Sequence, residues 1–250
     1  MLRSIKELYG YRILAIDGDI GWVHDFLFDD HAWTIRYLVV DVGTFLPGRK
    51  VLVVPAALDD PEWKTNSLSI QLTKEQVKNS PDIDADRPVS RQHEAEIHKY
   101  FGWGPYWLLG GPHGADAIST YNPELKEEEG TVLSLKEKEG DPFLRSTKKV
   151  NGYRIHAIDG DIGHVEEFIT DDSDWSIRYM VVDTRNWLPG RKVLVSPLWI
   201  EKVSWEDSRV YVNLSKESVR ESPRYDTSAP VNRRYEERLY DYYGRPKYWK

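Results

Sequence analysis

Short runs of alternating apolar and polar residues fill most of the chain. Residues 11–16 (YRILAI) form a β-prone run closed by Asp17-Gly18-Asp19. Asp-Gly is a strong hairpin-turn signal because Gly supplies positive φ. Residues 20–28 read as the return strand, with Gly21 a candidate bulge. In WTIRYLVVD (33–41), Trp33, Ile35, Tyr37 and Val39 share one face, and Thr34, Arg36, Leu38 and Val40 share the other. Leu46-Pro47-Gly48-Arg49 predicts a turn. Residues 50–54 predict a strand stopped by Pro55, and residues 67–72 another, matched later by 209–214 (RVYVNL).

Helical signals follow the strands. Thr73 can cap a helix and Gln76 can reach back to it. The corresponding later pair, Ser215 and Ser218, predicts only half of that exchange. Residues 90–101 and 232–243 read as helices, each with a glycine, Gly102 or Gly244, where a helix should end.

These patterns occur twice because the sequence does. GYRILAIDGDIGWV (10–23) recurs as GYRIHAIDGDIGHV (152–165), and the offset of 142 holds without a gap to residue 102, giving 49 identities in 101 positions. A repeat of that length is large enough to hold its own core. The expected domains are residues 1–102, a linker at 103–143 that is aromatic and then acidic, and residues 144–250. Short strands with frequent turns predict a mainly β chain, each repeat a small antiparallel barrel or sandwich with short C-terminal helices; a closed barrel would also hide the strand edges, so two tandem small antiparallel barrels are expected. Each repeat is expected to bury its apolar side chains inside its own closed ring of strands.

Composition narrows the chemistry. Cysteine is absent, which removes disulfides, thiol catalysis and Cys-based metal sites, and fits a cytoplasmic, reducing setting. The net charge is −7; residues 1–102 contribute −4, 103–143 contribute −5 and 144–250 contribute +2. No segment has the basic excess that phosphate-backbone binding needs, which disfavours nucleic acid. The N-terminus lacks a signal-peptide pattern, and no apolar run approaches the ~20 residues that span a bilayer.

The run G-Y-R-I-x-A-x-D-G-D-I-G-x-V, then D-D, W-x-I-R-Y-x-V-V-D and L-P-G-R-K-V-L-V-x-P, resembles the PRC-barrel domain family. That family includes the cytoplasmic barrel of the photosynthetic reaction-centre H subunit and the C-terminal domain of the RimM ribosome-maturation factor. The resemblance covers residues 2–72 and 144–214. It implies a six-stranded barrel used as an interaction module without a shared catalytic centre. The function it implies is a non-catalytic adaptor binding a protein partner. The alternatives are a regulatory protein responding to a small molecule or ion, a ribosome or RNA-processing factor, and a reaction-centre-associated protein.

Catalytic, cofactor and metal sites are not expected. Counting from Asp17 or Asp159, loop position twelve is Phe28 or Thr170, where a calcium loop needs an acid. His93 and His98 are five apart, not four, so they do not share a helix face as zinc ligands would. None of the seven histidines recurs across the repeat. The candidate partner-binding residues lie at the LPGRK turns: Phe45, Arg49 and Lys50, and Trp187, Arg191 and Lys192. The aromatic tails supply the docking residues, Trp103, Tyr106 and Trp107 in the first and Tyr248 and Trp249 in the second; they are expected to fix the two modules as a pair. The oligomeric state is left open.

Overall fold

A computed structural model describes the chain except residues 44–45, 60–62, 84–87, 109–142, 185–190 and 250. Phe45, Trp187 and the acidic stretch of the expected linker lie outside the described residues.

The elements of the first repeat are β1 (Leu2–Ser4), α1 (Ile5–Leu8), β2 (Arg12–Ala15), β3 (Gly18–Asp29), β4 (Thr34–Asp41), β5 (Lys50–Val53), β6 (Ser67–Ser69), α2 (Lys74–Asn79) and α3 (Arg91–Phe101). The second repeat follows with β7 (Leu144–Ser146), α4 (Thr147–Val150), β8 (Arg154–Ala157), β9 (Gly160–Asp171), β10 (Ile177–Asp183), β11 (Lys192–Val195), β12 (Ile200–Ser204), β13 (Arg209–Val212), α5 (Lys216–Glu221) and α6 (Arg233–Tyr243). The chain is mainly β, in two sheets. No helix among the described residues is long and apolar enough to cross a membrane.

The sheet orders are β5-β4-β3-β2-β6 and β11-β10-β9-β8-β13-β12. Two expectations need correction. The sheets are not purely antiparallel, because β2 runs parallel to β6 and β8 parallel to β13. Arg12 stands opposite Ser67, so the stretch between β5 and β6 has returned the chain to the end where β2 begins. Nor do paired strands among the described residues trace a closed ring; each order ends on an edge strand.

A further finding concerns which strand belongs where. The chain forms two compact units: Leu8–Ser146, here the first-repeat unit, and Met1–Glu7 with Thr147–Lys250, the second-repeat unit. The leading strand of each repeat therefore pairs in the other repeat's unit. Strand β1 lies antiparallel to the end of β9, and β7 antiparallel to the end of β3. The cause is an edge left over. Strand β2 covers only Gly18–Trp22 of the twelve-residue β3, so the backbone groups at Leu27–Asp29 need another partner. Helix α1, which spans the boundary with Ile5 and Leu8 both buried, carries the chain away from β1.

The hairpin and cap signals are borne out. Gly21 (φ 147°) and Gly163 (φ 143°) sit at bulges beside Ile13/Leu14 and Ile155/His156. A Cβ on Gly21 would stand 1.9 Å from the Asp41 carbonyl oxygen, and one on Gly163 would stand 2.1 Å from that of Asp183. Thr73 and Gln76 form the full capping box on α2. Ser215 and Ser218 also exchange both bonds on α5, because a serine hydroxyl reaches the cap N–H as the glutamine amide does. Gly102 and Gly244 end α3 and α6 in the left-handed conformation. Nearly all of β4 is buried, including Thr34 and Arg36 on its more polar face.

Candidate functional site

Ser90 caps α3 by accepting from the His93 amide, which starts the helix so that Arg91, Glu94 and His98 share one face. That face meets Tyr37 of β4. The Tyr37 hydroxyl lies 2.9 Å from Glu94 Oε2 and 2.7 Å from His98 Nε2. Gly102 then turns the chain, and the tail returns over the cluster. The Tyr106 hydroxyl donates to Glu94 Oε2 at 2.7 Å, and Arg91 holds Glu94 Oε1 at 3.0 Å. The Arg36 guanidinium stacks 4.2 Å from the Tyr106 ring centre, and Arg91 stacks 4.6 Å from that of Trp107.

The second-repeat unit builds the same cluster at an offset of 142. Tyr179 and Tyr248 both donate to Glu236 Oε1, at 2.8 and 2.7 Å, and Arg233 holds Oε2 at 3.0 Å. Arg178 stacks on Tyr248 and Arg233 on Trp249. One position differs: Tyr240 stands where the first repeat has His98, and its hydroxyl turns to Ser196.

That difference changes the proton inventory of the first-repeat unit. His98 Nδ1 lies 3.1 Å from the Gly104 carbonyl, which can only accept, so Nδ1 carries a proton. In a neutral imidazole, Nε2 is then an acceptor and takes the Tyr37 proton. The same hydroxyl proton is the one donated to Glu94 Oε2, so the imidazole and the carboxyl compete for it. Burial pushes Glu94 up to about 7, against the pull of Arg91 and the two hydroxyls. Burial also lowers His98 to about 4, with Arg91 adding a smaller push in the same direction. Tyr37, Glu94, His98 and Tyr106 are all buried, so the cluster faces the interior.

The aromatic tails have ring and cation partners among the helical residues. Trp103, Tyr106 and Trp107 pack with His98 and Arg91, and Tyr248 and Trp249 pack with Tyr240 and Arg233. Each set finds these partners within its own unit.

At the LPGRK turns, the guanidiniums are engaged with backbone. Arg49 donates to the carbonyls of Lys78 and Ser80 at the end of α2, and Arg191 to that of Ser222 at the end of α5. Lys192 Nζ pairs with Glu166 at 2.6 Å, and Lys50 pairs through its backbone with Asp41. A polar cleft of 560 Å³ beside Arg191 and Lys192 is walled in part by this ion pair. Asp29, Asp30 and His31 place three ligand atoms within 4.8 Å of one another, but Arg36 pairs with Asp29 at 3.3 Å and Arg145 with Asp30 at 2.8 Å. Those cations already balance the carboxylates that a metal would need.

No protein-family model matches this chain, and no curated protein matches it.

Two groups escaped sequence reasoning. The buried cluster was hidden because its members lie up to 70 residues apart, between Arg36 and Tyr106. Its signal was the joint recurrence of Arg36-Tyr37, Arg91-x-x-Glu94 and Tyr106-Trp107 in the second repeat. The other group is Ile16 and Ile158, 66% and 65% exposed at the same turn of each repeat. Alternation along β2 has Ile13 and Ala15 buried, which leaves Ile16 facing out.

Proposed function

We propose that this chain is a non-catalytic interaction module, two PRC-type repeats acting in a reducing compartment and gripping a protein partner through matched turns. The observation that carries this reading is the pair of exposed isoleucines. Each sits on a turn tied down by its neighbour. Asp17 accepts from the Lys74 amide at 2.8 Å, and Asp159 from the Lys216 amide at 2.8 Å. An apolar side chain held out on a fastened turn loses little freedom on binding. Two such anchors on one chain raise affinity through effective concentration. The burial of the Glu94 and Glu236 clusters favours a structural role for them, since a reacting group must meet its substrate.

The test is affinity capture from the native host with wild type, Ile16→Asp, Ile158→Asp and the double variant. A protein retained by wild type, weakened by each single change and lost from the double supports the reading. Equal retention by all four rejects it.

A further inference from the structure

The leading strands of the two repeats are the same tripeptide, Leu-Arg-Ser, and they dock by the same contacts. Leu2, Arg3 and Ser4 stand opposite Asp171, Thr170 and Ile169; Leu144, Arg145 and Ser146 stand opposite Asp29, Phe28 and Leu27. Arg3 Nε donates to Asp172 at 2.8 Å, and Arg145 Nε donates to Asp30 at 2.8 Å. Ser4 donates to Glu167, and Ser146 to Asp25. The backbone closes the match: the Asp172 amide donates to the Met1 carbonyl at 3.0 Å, and the Asp30 amide to the Phe143 carbonyl at 3.1 Å.

Each slot thus reads its strand by backbone pairing, one arginine and one serine. Neither slot uses the leading strand of the repeat that forms it. We propose that the Leu-Arg-Ser strand is a transferable docking element, and that each slot accepts it from a second copy of this chain as readily as from the repeat that now supplies it. Each repeat already treats the other as a second copy, because both present the same strand and the same slot. Assembly between chains then needs no surface beyond the one in use. It proceeds by added-strand pairing, with Asp30 and Asp172 selecting the arginine.

The experiment uses the full chain with a protease site inserted between Glu127 and Glu128, cut after folding. The two pieces carry each other's leading strand, so they should stay together as one particle in size-exclusion chromatography with light scattering. Arg3→Asp with Arg145→Asp should separate them after cutting, and adding Asp30→Arg with Asp172→Arg should restore the particle. That rescue keeps the test valid if the first variant folds poorly. Next, cut wild-type protein is unfolded in urea and refolded by dilution. Interchangeable slots predict like–like pairs of each piece beside the unlike pair. Pieces that separate without mutation, pieces that stay together despite the unrescued charge reversal, or refolding to the unlike pair alone would each overturn the proposal.

Discussion

The two units share the Arg–Tyr–Glu cluster, and they part at one residue, His98 against Tyr240. In the second-repeat unit, each hydroxyl of the cluster has its own acceptor: Tyr179 and Tyr248 on Glu236, Tyr240 on Ser196. In the first-repeat unit, Tyr37 has one proton and two neighbours that call for it. Burial pushes the Glu94 carboxyl of this cluster up to about 7. Duplicated packing therefore does not enforce duplicated electrostatics. One ring exchanged for another at the same helix position leaves the geometry in place and adds to the first unit an imidazole that burial lowers to about 4.

The harshest test of the shared geometry is at the bulges. Gly21→Ala and Gly163→Ala each drive a methyl into a carbonyl oxygen at a φ that disfavours a side chain. Each should cost about 3–5 kcal/mol by steric overlap and backbone strain. Urea titrations followed by hydrogen exchange at α3 and α6 would report the units separately. Matched losses preserve the equivalence; a neutral outcome at either glycine breaks it.

Tail removal comes next. Deleting residues 245–250 takes Tyr248 from Glu236 and the aromatic faces from Arg178 and Arg233. Losing two half-buried aromatics and one half-buried hydrogen bond should cost about 3 kcal/mol and lower the melting temperature of the second-repeat unit by about 10 °C. An unchanged melt would mean that the tail rests on the unit without supporting it.

Much of this comparison could be read from the chain, and the unread part has a physical cause. The hairpins, bulges, caps and helix ends are local, so Asp17-Gly18, Gly21, Thr73 and Gly102 announce them. The exchange of β1 and β7 is not local. Three residues carry no periodicity, and only the uncovered end of a long β3 creates their slot. The tails were expected from their exposed aromatics, but their target depended on Glu94 and Tyr37, which adjoin them only in the fold. At the LPGRK turns, Arg49 and Arg191 looked free because the helix ends they cap lie 31 residues further on.

The one-residue difference predicts a pH signature of similar size. Glu94 binds its proton more tightly folded than unfolded, so its contribution is full below about 4.5 and is lost as pH rises through about 7. His98 is the reverse: its contribution is full above about 6.5 and is lost as pH falls through about 4. Between 4.5 and 6.5 the two slopes oppose, and these groups leave the stability of the first-repeat unit nearly flat. Arg36, Arg91, Tyr37 and Tyr106 face the pair; Arg91, Tyr37 and Tyr106 are all pushed upward, away from that range. His98→Tyr should uncover the Glu94 slope, a loss of about 3 kcal/mol from pH 4.5 to 7. Glu94→Gln should uncover the His98 slope, a similar loss from pH 6.5 to 4. Denaturant midpoints against pH, read by exchange at α3, check both; parallel profiles for wild type and variants would remove the asymmetry.

The smallest effect on stability belongs to the feature assigned to binding. Ile16 and Ile158 are exposed by about two thirds, so Ile16→Ser and Ile158→Ser should each shift stability by less than about 0.5 kcal/mol. The turn itself is held by the Asp17–Lys74 and Asp159–Lys216 bonds, which neither change touches. A larger loss at one turn only would show that this isoleucine packs within its unit, and the matched-anchor reading would then rest on a single side chain. Equal, near-zero shifts leave the two turns as interchangeable anchors, so that any change in partner affinity can be assigned to the contact and not to unfolding.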